Sequence, residues 1–383
     1  MRIKKIVIHH IKIPFKQPFK HASAERLSGE NIVVRCVDED GLSGWGETIA
    51  REYVTGETTE DTIKRYKNIP KEAWKKKIGS VEDITDFLEK YLAPYNVAQC
   101  GMEIALLDLL SRKSGLSISD CLSKNLSDIA KISQTAPFFY GGAIGLNSIP
   151  KTIVNALKMR LYNFKKVKLK LERNLKQDLS RLFWTKLVLG GKIDLRVDAN
   201  EAWDMEYASK ISSYLKKYSV SAVEQPFKKK DFSLNKKFTD QTGITVILDE
   251  SMCYEKDARA VVENIFPAVF CIKLPKTGGF CKALKLIKIA HENNLSIQVS
   301  CQVGETAILS CAGRHLARLT PNLRYLEGSF DRYLLKENIS TEDISFGYGG
   351  KADMLDKPGL GIDIDHDKLD KITLNKITVF SNE

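Results

Sequence analysis

The stretch at residues 167–200 reads VKLKLERNLKQDLSRLFWTKLVLGGKIDLRVDAN and decides the fold. Two short apolar runs, at residues 167–171 and 193–197, enclose a polar turn and a helical stretch. Strands that alternate with helices in this way form βαβ units, whose strands pair in parallel. The stretch therefore predicts one unit of a parallel α/β sheet.

The same rhythm recurs along the chain from about residue 130. Eight apolar runs follow one another, most of them separated by helical stretches: residues 136–140, 167–171, 193–197, 221–223, 244–248, 269–274, 296–300 and 325–326. Eight such units within roughly 200 residues favour a closed β/α barrel over an open sheet. An open sheet that binds a dinucleotide would place G-x-G-x-x-G after its first strand, and this sequence has no such motif there.

The two ends of the chain depart from this rhythm. Residues 1–130 combine strand-like runs with helical spacing of apolar residues, so we expect an α+β domain there. The barrel is expected over residues 131–342. The tail, residues 343–383, is too short for a domain, and we expect it to pack back onto the N-terminal sheet.

Composition limits the class of protein. Of the 383 residues, 43% are hydrophobic, which is enough for a sizeable core, and the net charge is +11. The lysines stand in short scattered groups such as residues 75–77 and 228–230, which indicates solvated faces, so we expect no nucleic-acid partner. No apolar run reaches the ~18 residues of a membrane helix, so we expect no membrane partner. The eight cysteines include no C-x-x-C pair, and their apolar surroundings indicate reduced thiols in a cytoplasmic protein.

Charged residues end five successive predicted strands. In chain order they are a lysine, an aspartate, a glutamate, an aspartate and a lysine: Lys170, Asp198, Glu224, Asp249 and Lys273. Their spacings of 28, 26, 25 and 24 residues are each one βα unit, so we expect all five on one rim of the barrel, where such barrels carry their catalytic groups. Three converging carboxylates need a cation, and oxygen ligands suit a hard ion such as Mg²⁺. The two lysines would then face each other across the substrate pocket.

At these residues the sequence resembles the enolase superfamily, and within it the mandelate racemase/muconate-lactonizing subgroup. The stretches that carry the resemblance lie at the strand ends and near both termini: KLK (168–170), RVDAN (196–200), VEQP (223–226), LDES (248–251), IKLPKTGG (272–279), GWGE (44–47) and PGLG (358–361). Together they extend over nearly the whole chain.

The resemblance implies an α/β fold, a (β/α)₇β modified TIM barrel with an α+β capping domain built from both termini. It implies one Mg²⁺ per subunit, or Mn²⁺ in its place, held by three carboxylates: Asp198, Glu224 and Asp249. It makes Lys170 and Lys273 the acid/base pair and Lys168 the support of the first lysine. Asn200 and Glu250 would stand behind the metal ligands, and we expect a homo-oligomer.

The implied chemistry is removal of a proton α to a carboxylate, through an enediolate that a divalent cation and cationic side chains stabilise. Lysines on both faces allow a proton to leave on one side and return on the other. We therefore expect Mg-dependent racemization or epimerization of an amino-acid derivative, a dipeptide or an N-acyl amino acid. Muconate-type cycloisomerization and o-succinylbenzoate synthesis use the same lysines and metal and stay open as alternatives. A non-catalytic basic binding protein is the alternative from another class.

Substrate recognition has the fewest signals in the sequence. By resemblance, a dipeptide epimerase carries Asp-x-Asp after the eighth strand to hold the substrate ammonium, and here residues 325–331 read YLEGSFD. The candidates for contact with a small carboxylate substrate are three acidic residues and an arginine: Glu327, Asp331, Glu305 and Arg26. Arg26 would face an anionic group. Residues 17–30 and 51–58 are expected to be two loops that close over the pocket.

Overall fold

An antiparallel sheet and several helices form the N-terminal part of the computed structural model, which describes residues 1–21, 24–264 and 266–382. Its strands are β1 (Ile3–His21), β2 (Ala24–Asp38) and β3 (Ser43–Thr48). Its helices are α1 (Glu52–Thr55), α2 (Thr59–Lys67), a 3₁₀ turn (Lys71–Lys75), α3 (Val81–Leu92), α4 (Asn96–Lys113) and α5 (Ile118–Asn125). The C-terminal strand, Thr373–Ser381, pairs antiparallel with β1, so both ends of the chain build this cap.

Helix α4 packs closely against the cap sheet. A Cβ atom on Gly46 of β3 would lie 2.1 Å from the carbonyl oxygen of Gly101, so the approach requires glycine. This explains why the GWGE stretch needs its second glycine. Although α4 is 18 residues long and largely buried, no helix in the described part of the chain is both long and apolar enough to cross a membrane.

Eight parallel strands form the barrel. A short strand, β4 (Phe138–Phe139), precedes them. The barrel strands are β5 (Gly142–Ile144), β6 (Lys166–Lys170), β7 (Asp194–Asp198), β8 (Val220–Glu224), β9 (Thr245–Leu248), β10 (Ala268–Ile272), β11 (Ser296–Val299) and β12 (Leu323–Leu326). They are hydrogen-bonded in chain order. The Gly141 amide donates to the Leu326 carbonyl at 2.8 Å, which joins the first strand to the last and closes the barrel.

Helical segments connect each pair of consecutive barrel strands. They are α6 (Ile149–Leu161), α7 (Leu175–Leu189), α8 (Met205–Lys217), α9 (Phe232–Thr242), α10 (Glu255–Asn264), the pair α11 (Leu274–Thr277) and α12 (Phe280–Glu292), and α13 (Ala307–Arg318). Seven connections and eight strands confirm the (β/α)₇β barrel, capped by an α+β domain. The chain ends with α14 (Asp331–Leu334), a 3₁₀ turn (Tyr348–Gly350), β13 (Lys351–Ala352), α15 (His366–Ile372) and the cap strand β14 (Thr373–Ser381).

The prediction of the first barrel strand at residues 136–140 is wrong. Within that run, β4 pairs with β13 in a separate two-stranded sheet, and the first barrel strand is β5. A Cβ atom on Gly142 would lie 2.4 Å from the Met159 sulfur, so a larger residue there would have to displace Met159 of helix α6. A strand that contains glycine for this reason gives no apolar run in the sequence.

The prediction of a loop at residues 17–30 is also wrong for the residues described there. β1 extends to His21 and β2 begins at Ala24, and the backbone of Lys20 is in register with that of Glu25. Ala22 and Ser23 lie outside the described residues. The second predicted loop, residues 51–58, contains the one-turn helix α1. Strand pairing depends on the partner segment, which local sequence does not report.

Glu47, the last residue of the GWGE stretch, joins the cap to the barrel. Its buried carboxylate accepts hydrogen bonds from the backbone amides of Thr306 and Leu309, each at 3.0 Å, where α13 begins. Asn31 of β2 donates to the same carboxylate at 2.6 Å and to the Gly304 carbonyl at 2.8 Å. The first backbone amides of a helix have no acceptor within the helix. The Glu47 carboxylate of the cap is the acceptor for these amides at the start of α13. This joint fixes the cap over the rim where the barrel strands end.

His315 of α13 contacts both α5 and the C-terminal segment. Its Nε2 lies 3.1 Å from the Leu360 carbonyl, which only accepts, so Nε2 donates and Nδ1 accepts from the Ser119 hydroxyl at 3.2 Å. Both nitrogens are therefore satisfied by the neutral ring. Burial, reinforced by the charge of Arg318, lowers the pKa of His315 to about 4.

We expect this histidine to make the protein acid-sensitive. The imidazole titrates near 6.5 in the unfolded chain, so between about pH 6.5 and 4 the unfolded state binds the extra proton. The free energy of unfolding should then fall by on the order of 2–3 kcal/mol as the pH decreases through that window. Urea unfolding at several pH values should show a shallower fall for His315→Gln. Equal slopes for the variant and the wild type would contradict this prediction.

Candidate active site

The five charged strand ends meet on one rim of the barrel. Lys170 ends β6, Asp198 ends β7 and Glu224 ends β8, while Asp249 directly follows β9 and Lys273 directly follows β10. All five line one cavity of about 320 Å³, which side chains of the cap also line. Because β6 and β10 are four strands apart in a closed sheet of eight, the two lysines enter from opposite sides. The three carboxylates come from the strands between them.

The three carboxylates are buried. Asp198, Glu224 and Asp249 are exposed by 2%, 1% and 5%. Glu224 and Asp249 offer oxygens that lie within 4.8 Å of each other and of the Cys271 sulfur. Burial raises the pKa of Glu224; the charge of Asp198 adds to this effect and that of Lys168 opposes it. Negative charge is therefore concentrated at this point of the rim.

The two lysines contact the carboxylate cluster from either side. Lys273 Nζ donates to Asp249 Oδ2 at 2.5 Å. Lys170 Nζ donates to Asn200 Oδ1 at 2.8 Å and lies 3.7 Å from Asp198 Oδ2. Burial alone would lower the pKa of Lys273, but the charge of Asp249 outweighs it and holds that pKa well above its ordinary value. The same contact holds the pKa of Asp249 low although burial acts to raise it.

A layer of charged and amide side chains lies beneath the rim. Lys168 Nζ donates to both oxygens of Glu224, at 2.9 and 3.0 Å, and to Glu327 at 2.7 Å. The fully buried Arg196 donates to Glu327 at 3.0 Å and to Gln298, and Gln298 in turn donates to Glu224 at 3.0 Å. This network fixes Glu224 in place. Sequence reasoning gave Arg196 and Gln298 no role, although a polar residue inside an apolar strand run was the available signal.

Lys276 and Gln225 are two further residues that sequence reasoning missed. Lys276 is 1% exposed and donates to Asp249 Oδ1 at 2.8 Å. Gln225 accepts from the amides of Asp249 at 3.0 Å and Ser251 at 3.1 Å. The Asp249 carboxylate is thus held between Lys273 and Lys276, and its backbone amide is held by Gln225. The signal for Lys276 was its position in the helical turn α11 that directly follows Lys273.

Both acidic candidates at the eighth strand have partners within the protein. The two cations of the layer below bind Glu327, and Ser300 Oγ donates to it at 2.9 Å. Although burial acts to raise it, their charges lower the pKa of Glu327 to about 2. Asp331, the first residue of α14, accepts from Ser310 Oγ at 3.3 Å and from Asn338. Both residues line the cavity, but their carboxylates are already neutralised or hydrogen-bonded.

Arg26, Glu305 and Glu250 also line the cavity. Arg26 enters from β2 and is half-buried. Glu305 accepts from the Gln302 amide at 2.6 Å, and burial raises the pKa of Glu305 to about 8. Burial, and then the charge of Asp249, raises the pKa of Glu250 to about 8. The buried Glu250 Oε2 has no hydrogen-bond partner among the described residues.

The donor set fits a hard divalent cation. Three carboxylates from adjacent strands line one cavity, and the orphaned oxygen of Glu250 adds a further oxygen donor beside them. Cys271 lies near two of these oxygens, but burial raises the pKa of its thiol and Gln298 donates to its sulfur at 3.3 Å. A protonated, soft sulfur is a poor ligand for such an ion. The oxygens therefore make the better set.

Two family models match the chain. The model for an "Enolase C-terminal domain-like" unit matches residues 152–368. The model for the "Mandelate racemase / muconate lactonizing enzyme, N-terminal domain" matches residues 3–123. The first covers most of the barrel and the second covers most of the cap.

Known proteins match the chain over nearly its whole length. It is 29% identical to L-Ala-D/L-Glu epimerase of Clostridium acetobutylicum over 378 residues, which cover 95% of this chain and 99% of that protein. It is 24% identical to N-succinyl-L-Arg/Lys racemase of Bacillus cereus over 392 residues, 100% of this chain and 99% of that protein. The solved structure of a dipeptide epimerase from Enterococcus faecalis, complexed with Mg and L-Leu-L-Tyr, is similar with a TM-score of 0.85 and 26% identity, covering 95% of this chain and 100% of that one.

Proposed function

Because the chain is an enzyme that belongs to the mandelate racemase/muconate lactonizing enzyme family of the enolase superfamily, we propose that it racemizes or epimerizes an amino-acid derivative at the carbon α to a carboxylate. The substrate class is a dipeptide or an N-acyl amino acid. Relatives whose names give both kinds of substrate match at least 95% of the chain. Family membership confirms the resemblance seen in the sequence and makes a non-catalytic binding protein the wrong alternative.

The opposed lysine pair is the observation that carries the proposal. Lys170 and Lys273 project into one cavity from strands that are half a barrel apart, and the acidic cluster lies between them. A substrate whose carboxylate is held at the cluster would present one face of its α-carbon to each lysine. Two bases on opposite faces are what inversion of configuration requires, whereas elimination needs only one.

We expect one Mg²⁺ to be held by Asp198, Glu224 and Asp249, with Mn²⁺ as a substitute that shares the preference for oxygen. When bound, the ion supplies positive charge beside the substrate carboxylate and so increases the acidity of the α-proton. Lys168 and Lys276 hold two of the carboxylates in place, at 2.9 Å from Glu224 and 2.8 Å from Asp249. Two of the three expected ligands are therefore positioned before the ion binds.

The two lysines move the protons. One lysine, as the neutral amine, accepts the α-proton and becomes an ammonium group; for Lys273 this requires Asp249, whose charge raises the pKa of Lys273, to be engaged by the cation instead. The other, as an ammonium group, returns a proton to the opposite face and becomes an amine. The reverse reaction uses the same atoms with the roles exchanged. Asn200 supports this assignment because its side-chain oxygen orients the Lys170 amine at 2.8 Å.

The charges around the cavity favour a substrate without an ammonium group near the eighth strand. Glu327 is paired with two cations of the protein, and both oxygens of Asp331 already accept hydrogen bonds, from Ser310 and Asn338, so both carboxylates have partners without a substrate ammonium group. Arg26 and Arg51 line the cap side of the cavity and suit an anionic substituent. This pattern fits an N-acyl amino acid with an anionic acyl group better than a zwitterionic dipeptide.

Solvent exchange tests the proposal. The enzyme is incubated with Mg²⁺ in D₂O with a pool of dipeptides and N-acyl amino acids, and the recovered compounds are examined by mass spectrometry and chiral chromatography. We expect α-deuteration with inversion in at least one compound, and no deuteration with the variant that carries both Lys170→Ala and Lys273→Ala. Absence of exchange across the pool, with turnover of a muconate or of an o-succinylbenzoate precursor, would overturn it.

Three wider expectations accompany this function. The eight unpaired cysteines are consistent with a reducing compartment, and we propose the cytoplasm. A homo-oligomer, and the absence of nucleic-acid and membrane partners, stay predictions. Size-exclusion chromatography with light scattering measures the oligomeric state directly.

A further inference from the structure

The one-turn helix α1 brings cap residues into the cavity. Tyr53 and Val54 both line it, and the charge of Lys273 acts on the Tyr53 phenol. So short a helix is marginal alone, because it makes few internal hydrogen bonds and leaves its last carbonyls without partners. Its position over the cavity must therefore come from contacts with the rest of the protein.

Lys229 supplies one of these contacts. It lies in the segment after β8, and its Nζ donates to the carbonyl oxygens of Tyr53 at 2.8 Å and Val54 at 3.3 Å. A cation at the C-terminal carbonyls of a helix is favourable. The Lys229 amide donates to Glu201 Oε1 at 2.5 Å, which orients the segment. The helix is thus tied to the barrel at its end.

Arg51 ties the start of the same helix to the barrel. This arginine is buried, and its guanidinium donates to the Val303 carbonyl at 2.7 Å, in the segment that follows β11. It also donates to the Ala50 carbonyl at 3.0 Å. Arg51 and Lys229 therefore link α1 to two different barrel segments, with Tyr53 between the two links.

The segment that carries Lys229 is also bonded to the acidic cluster. The Lys230 amide donates to Ser251 Oγ at 3.0 Å, and Gln225 Nε2 donates to the same oxygen at 2.8 Å. The other end of the Gln225 side chain accepts from the Asp249 amide at 3.0 Å. The segment that contacts α1 through Lys229 is thus connected, through Ser251 and Gln225, to the backbone that positions Glu224 and Asp249.

We propose that Lys229 is a positioning residue that keeps α1 closed over the cavity and so sets where Tyr53 stands relative to Lys273. Its kinetic consequences rest on the proposed function, whereas its effect on the closed turn does not. Loss of the ammonium group removes two charge-assisted hydrogen bonds at an exposed site, so about a tenfold shift in the closing equilibrium is expected. Lys229→Arg retains the charge and donors and should keep the turn closed.

Amide hydrogen exchange tests the closed turn without any substrate. The amides of Val54 and Thr55 donate to the Arg51 carbonyl, and that of Gly56 donates to the Glu52 carbonyl, so their exchange reports opening of α1. We expect about tenfold faster exchange there in Lys229→Ala and wild-type rates in Lys229→Arg. Equal rates in Lys229→Ala and the wild type would overturn the proposal.

Lys228→Ala is the matched control. Lys228 is exposed, and its side chain has no hydrogen-bond partner within the described chain. In the Lys228→Ala variant, the amide exchange rates at residues 54–56 should equal those of the wild type. Faster exchange in this control as well would attribute the effect to lost surface charge and would equally overturn the role of Lys229.

Kinetics with a substrate found by α-deuteration provides the second measurement. Lys229→Ala should raise KM about tenfold with a smaller change in kcat, while Lys228→Ala changes neither. Faster exchange at α1 with unchanged KM and kcat would overturn the positioning role. If no substrate is found in the pool, the proposed function fails, and the exchange rates alone still decide whether Lys229 holds the turn.

Discussion

Lys273→Ala is expected to lower turnover by about 10²–10⁴-fold, and Lys170→Ala to do the same. Each lysine contacts the acidic cluster from its own side, so neither can replace the other. The expected loss is stereospecific. Each variant should still exchange the α-proton of the stereoisomer whose proton faces the remaining lysine.

Deuterium incorporation into each pure stereoisomer measures this split. Lys210→Ala is the control, because Lys210 is an exposed lysine whose one ion pair within the described residues is with Glu206 on its own helix, and it should leave both exchange rates unchanged. Loss of exchange from both stereoisomers in Lys170→Ala would show that a single base serves both faces, and the two-base mechanism would then be wrong.

Asp249→Asn is expected to remove detectable turnover and to weaken Mg²⁺ binding by at least about 100-fold. Loss of a residue that only orients a metal ligand costs roughly 10–100-fold in metal affinity or activity. Asp249→Asn removes a ligand itself, so we expect a loss at least at the upper end of that range. Binding can be followed without activity through the metal's stabilisation of the fold. A saturating ion at about 100 times its Kd adds about 2.7 kcal/mol to the free energy of unfolding. The variant should show no such gain at the same concentration.

The variant has a second effect that needs its own control. Lys276 is 1% exposed and loses its charged partner in Asp249→Asn, and breaking a buried ion pair costs about 3–5 kcal/mol. Asp249→Asn combined with Lys276→Met removes both charges and should recover part of that stability without recovering metal binding. A variant that still gains full stability from Mg²⁺ would contradict the assignment of Asp249 as a ligand.

The strand ends were readable from the sequence because parallel strands bring their carboxyl ends to one edge. Five charges one βα unit apart, among them Asp198 and Glu224, had to share a rim once the barrel closed, and they line one cavity. The motif order identified the superfamily for the same reason. The first barrel strand was not readable in this way, because β5 has three residues and begins with Gly142, so it carries no apolar run.

The sequence by itself thus determined the barrel, the cap and the positions of the charged strand ends, because strand period and chain order are local properties. Only the tertiary structure decided the partners of those charges. Glu327 is an acid at the eighth strand in the sequence, but Lys168 and Arg196, from β6 and β7, neutralise it. Lys229 is one of three consecutive lysines, but it alone of them reaches the carbonyls of Tyr53, a residue 176 positions away, within the described chain. A side chain's type fixes its charge, whereas an ion pair or hydrogen bond also requires a partner within about 3–4 Å, which depends on how distant segments pack.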